Sequence, residues 1–196
     1  TTEVCGQHLT FDQDDVEERG VRTLMNPPIR YTEDKNTLWK RLKDGTIDCV
    51  VTDHAPHTLE AKSVGYPNAP AGMPGVETSL PLMLTHAMDG MCSVSDVVRW
   101  MCAGPAKVYG MENKGSLIEG YDGDLTLVDL ETRRTIADAD TWTRVGWTPY
   151  AGMELTGLPM WTIVDGIPVH KRTVGGSFRG EAVGAPGCAG RALKFS

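Results

Sequence analysis

With 196 residues, 40% hydrophobic and 23% charged, the chain has the composition of a soluble globular protein and can bury roughly 70% of its unfolded surface. A formal net charge of −7 with no basic block argues against a nucleic-acid partner, because nothing is present to displace phosphate counterions. No apolar run approaches the ~18 residues of a membrane-spanning helix, so no membrane partner is expected.

The five cysteines (Cys5, Cys49, Cys92, Cys102, Cys188) show no C-x-x-C spacing. They read as small buried hydrophobes in a reducing cytoplasm rather than as disulfides or zinc ligands. The opening Thr1-Thr2-Glu3-Val4 has neither an initiator methionine nor a signal-peptide pattern. It looks like the middle of a strand, and a longer natural protein is expected.

Residues 1–5 alternate and are β-branched, which predicts a short strand with Glu3 on one face; Gly6-Gln7-His8 reads as a loop at its end. Residues 12–19 predict a solvated helix with acids in the first turn, where a helix N-terminus favours them. Asn26-Pro27-Pro28 forces an extended path through residues 21–30. Thr32 reads as a cap. Glu33 and Asp34 then fill the first turn, Leu38, Trp39 and Leu42 keep 3/4 spacing, and Gly45 supplies the stop.

Residues 47–52 have the apolar, β-branched content of a strand buried on both faces. The result is a strand–loop–helix–strand unit of the kind that builds parallel sheets. The strand ends in Asp53-His54-Ala55-Pro56-His57, where Pro56 lacks an N–H and restrains Ala55. Asp53, His54 and His57 therefore sit at the carboxyl end of a strand, where α/β barrels place their chemistry. The Gly- and Pro-rich loop onward to Gly75 is too long for a bare connector.

Residues 76–88, with Leu80, Leu82, Met83 and Leu84, predict a helix in which Pro81 falls in the first turn or two. Ser95 reads as the cap of a second helix holding Val97, Val98 and Met101, broken by Gly104-Pro105 and followed by a short helix over 106–109. Met83, Met88, Met91 and Met101 read as core filling. Beyond Lys114 a turn-rich segment leads into a strand over 125–130. Asp165-Gly166, between runs 161–164 and 167–170, is a two-residue hairpin signal. From Thr173 the Gly-rich tail reads as extended.

Asp53-His54-Ala55-Pro56-His57, with Asn26-Pro27-Pro28-Ile29-Arg30 before it and Ala71-Gly72-Met73-Pro74-Gly75-Val76-Glu77-Thr78 after it, resembles the dihydroorotases of the amidohydrolase superfamily. The likeness runs in order to about residue 170. It implies an α/β fold: the carboxy-terminal part of a metal-dependent (β/α)8 TIM barrel plus a small β-sandwich segment. The last two barrel strands and their helices would occupy residues 1–113, the sandwich segment 114–172 and the extended tail 173–196.

The resemblance further implies a cytoplasmic, zinc-dependent enzyme that reversibly hydrolyses (S)-dihydroorotate to N-carbamoyl-L-aspartate in de novo pyrimidine (UMP) biosynthesis. One or two Zn2+ would serve each full-length site, with most ligands outside this chain: an H-x-H pair, a carboxylated lysine or aspartate, and two further histidines. Asp53 matches the family's catalytic aspartate and metal ligand. Asn26, His57, Ala71 and Gly72 match its substrate-binding positions. An asparagine amide offers one acceptor and two donors to a ring edge, and small residues at 71 and 72 permit close backbone approach.

His54, His86 and His170 read as structural. Arg30 reads as tying its loop to a neighbouring acid rather than binding substrate. Gln7-His8 stands where the family commonly has two adjacent histidines. A homo-oligomer is expected, with aspartate carbamoyltransferase as a candidate partner. The alternatives are an allantoinase- or hydantoinase-type enzyme, or an inactive dihydroorotase-like scaffold. Two of eight strands cannot close a barrel, so the isolated 196-residue chain is expected to be inactive.

Overall fold

The computed structural model describes residues 1–184, 190 and 192–194 of an α/β chain. Two compact units form, one from Thr1–Ser79 with Thr135–Met153 and the other from Leu80–Arg134 with Glu154–Ser196. Cys188 lies outside the described residues.

In the first unit, β1 (Glu3–Cys5) and β2 (Cys49–Val51) run parallel, with Glu3 opposite Cys49 and Cys5 opposite Val51. Val4, Cys49 and Val50 are buried, as in a strand pair covered on both faces. β2 is shorter than its sequence pattern because groups at its margins bond elsewhere. The Ile47 N–H donates to the Arg41 carbonyl, and the Thr52 carbonyl accepts from Gln7 Nε2 at 2.9 Å.

Gly6-Gln7-His8, expected as loop, instead opens α1 (Gly6–Thr10), which buries Leu9. Its last turn is held from outside, since Trp39 Nε1 donates to the Leu9 carbonyl at 2.8 Å. A five-residue helix with one apolar anchor carries no readable periodicity. Asp12 caps α2 (Gln13–Arg19) in a reciprocal box with Asp15. Lys35 and Thr32 both donate to Asp12 Oδ2, and the Lys35 bond holds the Asp12 carboxyl below its usual range. Thr32 is thereby diverted from capping. It is the first residue of α3 (Thr32–Lys43), and Tyr31 stands at the cap.

The 135–153 segment completes this unit. Phe11 stacks on Tyr150 with centroids 5.1 Å apart, and Arg19 lies over Phe11 while donating to the carbonyls of Pro149 and Ala151. Arg22 grips both oxygens of Asp138, at 2.8 and 2.7 Å. That grip lowers the Asp138 pKa, so its stabilisation is present above about pH 4, the unfolded value, and is lost as pH falls through the folded value. We expect the urea midpoint to drop less between about pH 6 and pH 3 in Asp138→Asn than in the wild type. Equal pH slopes would remove the pair as an acid-sensitive element.

In the second unit, α5 (Ser79–Met88) has Pro81 in its first turn and buries Leu82, Met83 and Leu84. Ser93, not Ser95, caps α6 (Val94–Val98), because Asp96 at the third helical position returns the bond. Gly104-Pro105 does not break the helix. Arg99–Ala103 widens into a π turn in which the Gly104 N–H reaches back to the Arg99 carbonyl, and α7 (Gly104–Val108) follows directly. The wider turn makes room for the proline ring, and at the start of α7 its missing N–H costs little.

Of the four methionines read as core, Met83 is buried, whereas Met88 and Met91 are exposed around the end of α5. The described cysteines are free thiols, and Cys49 alone among them is fully buried.

The sheet of this unit has the order β3 (Leu125–Thr135), β4 (Glu154–Val164), β5 (Ile167–Lys171), β6 (Glu181–Ala182). β4 and β5 form the expected antiparallel hairpin. Asp165 and Gly166 both take positive φ (51° and 77°), the turn whose twist suits a two-residue connection. Within the tail, Glu181–Ala182 are extended and pair with β5 as β6. α5 meets β4 at Gly157, where a side chain would strike Leu84 Cβ at 2.8 Å. Among the described residues no helix is long and apolar enough to cross a membrane.

Candidate active site

β1 and β2 end side by side, and Asp53 follows two residues after the end of β2. Its φ of +45° is a left-handed conformation that Asp tolerates better than most residues. Gln7, buried at the start of α1, holds the Thr52 carbonyl just before this turn. The Asp53 side chain is exposed and makes no hydrogen bond or ion pair among the described residues. Its charge, after burial itself, helps push the Cys5 thiol up to about 11.

The chain then runs beside the returning loop. The Ala55 N–H donates to the Met73 carbonyl at 3.1 Å, and His54 bridges Met73. His54 Nδ1 accepts from the N–H groups of Gly75 (3.1 Å) and Val76 (3.2 Å), which assigns the ring proton to Nε2. As expected, His54 is a brace for the loop.

Gly72, at φ +126°, sits against this stretch so closely that a Cβ would lie 2.4 Å from the Ala55 carbonyl oxygen and 3.3 Å from His57 Cδ2. His57 and Gly72 are thus brought into contact, with half-buried Ala71 next in the chain. The Gly72 N–H donates to the Leu24 carbonyl at 2.9 Å, two residues before exposed Asn26. Asn26 is joined to the other positions through this backbone link; its own amide makes no hydrogen bond among the described residues. His8 Nε2 donates to the Pro27 carbonyl at 2.9 Å and steadies the same loop. Arg30, expected to meet an acid, is exposed and forms no ion pair among the described residues.

Two structural roles escaped the sequence reading. The hold of Gln7 on the Thr52 carbonyl is one. The other belongs to Lys62, the last residue of α4 (Leu59–Lys62). It is fully buried, and its Nζ donates to the carbonyls of Leu24, Pro70 and Gly72. The available signal was weak: Thr58 caps α4 through Ala61 N–H, but no pattern marks a lysine there as interior. Among the described residues no three His, Cys, Asp or Glu side chains converge to hold a metal ion. The donor set at this strand end is the Asp53 carboxylate, which by itself is too small for a metal site.

The profile of the amidohydrolase family matches residues 5–167. A dihydroorotase of Halobacterium salinarum is 40% identical over 183 residues, covering 93% of this chain and 43% of that protein. A dihydroorotase of Pyrococcus furiosus is 36% identical over 182 residues, covering 92% of this chain and 42% of its own length. The chain therefore spans about two-fifths of the curated relatives it matches. Among solved structures, the L-hydantoinase (dihydropyrimidinase) of Arthrobacter aurescens superposes with a TM-score of 0.84 at 34% identity, over 92% of this chain and 40% of that one. A D-hydantoinase (dihydropyrimidinase) from Thermus sp. also reaches 0.84, at 26% identity, over 98% of this chain and 42% of its own. With more than four-fifths of its length inside the family profile, the chain belongs to the amidohydrolase family.

Proposed function

We propose that the protein containing this chain is a zinc-dependent cyclic amidohydrolase of the dihydroorotase type, interconverting (S)-dihydroorotate and N-carbamoyl-L-aspartate in pyrimidine synthesis. The observation that carries this reading is the strand-end turn: an exposed, uncommitted Asp53 carboxylate four residues before a histidine that rests against Gly72.

In this reading bound zinc would lower the pKa of a water and polarise the attacked carbonyl, and Asp53 is the ligand to it that this chain would hold. Asp53 accepts the proton of the attacking water and returns it to the ring nitrogen as the C–N bond breaks, acting as base and then as acid. His57 contacts the substrate carboxylate. Asn26 meets the ring edge, and the backbone at Ala71 and Gly72 closes on the ring where no side chain intervenes.

The same reading makes β1 and β2 the last two strands of a TIM barrel. Residues 1–113 are its barrel part, 114–172 a sandwich segment and 173–196 a tail. A cytoplasmic setting, a homo-oligomer and contact with aspartate carbamoyltransferase belong to it as well. A hydantoinase-type activity is the second reading, supported by the superposition on the Arthrobacter enzyme. The higher identity to dihydroorotases favours the first.

Assaying the natural protein with dihydroorotate, hydantoin and allantoin separates these readings. Carbamoyl-aspartate is the expected product, preferential opening of hydantoin or allantoin transfers the assignment, and no turnover of any of them points to a scaffold. The 196-residue chain alone is expected neither to retain zinc nor to turn over substrate, since it offers two parallel strands and no described three-ligand cluster. Stoichiometric zinc in the isolated chain would overturn that expectation.

A further inference from the structure

Lys62 is a buried cation whose hydrogen-bond partners are all backbone. Its side chain has no exposed surface, and it pairs with no carboxylate among the described residues. An ammonium has three N–H donors, and here each finds one carbonyl: Leu24 at 3.1 Å, Pro70 at 3.0 Å and Gly72 at 2.8 Å. Such charge-assisted bonds offset the desolvation of the ion, and Nζ also lies 5.8 Å from the centre of the Trp147 ring. Burial still pushes the Lys62 pKa down, as expected for a cation without an anionic neighbour.

The three carbonyls belong to loops, not to a helix or sheet ladder. Leu24 lies two residues before Asn26, and Pro70 and Gly72 flank Ala71. Trp147, whose ring faces Lys62, sends its Nε1–H to the His57 carbonyl at 2.8 Å. One buried charge is therefore tied, directly or through one ring, to the stretches carrying Asn26, His57, Ala71 and Gly72. Without it the buried Gly72 carbonyl would be left beside an apolar stem.

We infer that Lys62 is a positioning residue that holds the Asn26 loop and the Ala71-Gly72 loop at a fixed spacing for substrate. What the loops bind rests on the proposed function; the clamp itself does not. The test is Lys62→Met in the natural protein, which keeps a stem against Trp147 and removes the donors. Amide hydrogen exchange should quicken about tenfold or more in residues 24–30 and 69–75, while β1 and β2 keep wild-type protection. KM for dihydroorotate should rise about tenfold while kcat changes by less than about threefold, because a spacing fault weakens ground and transition states alike. Lys62→Gln, with two donors, should fall between the two, and it carries the test alone if Lys62→Met does not fold. Exchange that stays unchanged in both loops, or rises evenly through the protein, overturns the inference. Loops that loosen in a protein whose wild type opens no cyclic amide leave the clamp standing and remove the function.

Discussion

Gly72→Ala is expected to lower stability by about 2–4 kcal/mol and to disorganise the site loop. Two effects add. The glycine has φ +126°, a region that a side chain strains whatever the surrounding space, and the new Cβ would lie 2.4 Å from the Ala55 carbonyl oxygen and 2.9 Å from Ala55 Cβ. Neither neighbour can yield easily. The Ala55 amide is bonded to the Met73 carbonyl, and Pro56 restrains the backbone after it. The loop cannot retreat either, since the Gly72 carbonyl is held by Lys62 and its N–H by Leu24.

Gly75→Ala is the control. Its Cβ would meet the Thr52 carbonyl oxygen at 3.4 Å, an ordinary contact, so a change within about 1 kcal/mol is expected. Urea unfolding of both variants decides the matter. A Gly72→Ala protein as stable as the control would mean that the loop does not pack as described.

Asp53→Asn is expected to reduce turnover by about a thousandfold or more while leaving stability unchanged, because an amide can neither accept the water's proton nor serve as an anionic ligand. The substitution suits the test. Asparagine tolerates φ +45° as aspartate does, and the carboxylate makes no hydrogen bond among the described residues that its loss would break. Asp53→Ala would confuse the result, since an alanine in that conformation costs about 1 kcal/mol through the backbone alone. Steady-state kinetics and thermal melts on the same preparation give the answer. Wild-type-like rates in Asp53→Asn would remove Asp53 from the chemistry.

Where the sequence reading erred, either a distant contact had intervened or a local alternative had won. Thr32 looks like a cap, but Asp12 takes its hydroxyl and Tyr31 stands at the helix start. Ser95 looks like a cap too, yet Ser93 has Asp96 at the distance that closes a reciprocal box. Gly104-Pro105 reads as a break, and a single π turn absorbs it. Gly6-Gln7-His8 reads as loop because α1 is completed by Trp39 of α3 rather than by its own pattern.

What the amino-acid sequence determined by itself is what a few neighbouring residues can decide. A β-branched run halted by Asp53 and Pro56 marks a strand end, Asp165-Gly166 marks a hairpin, and the spacing of Trp39 and Leu42 marks the buried face of α3. What only the tertiary structure decided is how that strand end is held. Gln7 reaches the Thr52 carbonyl across 45 positions and Lys62 reaches Leu24 across 38. The reason is physical: local periodicity reports which face is apolar, whereas a buried donor is placed by the carbonyls that distant loops leave unpaired.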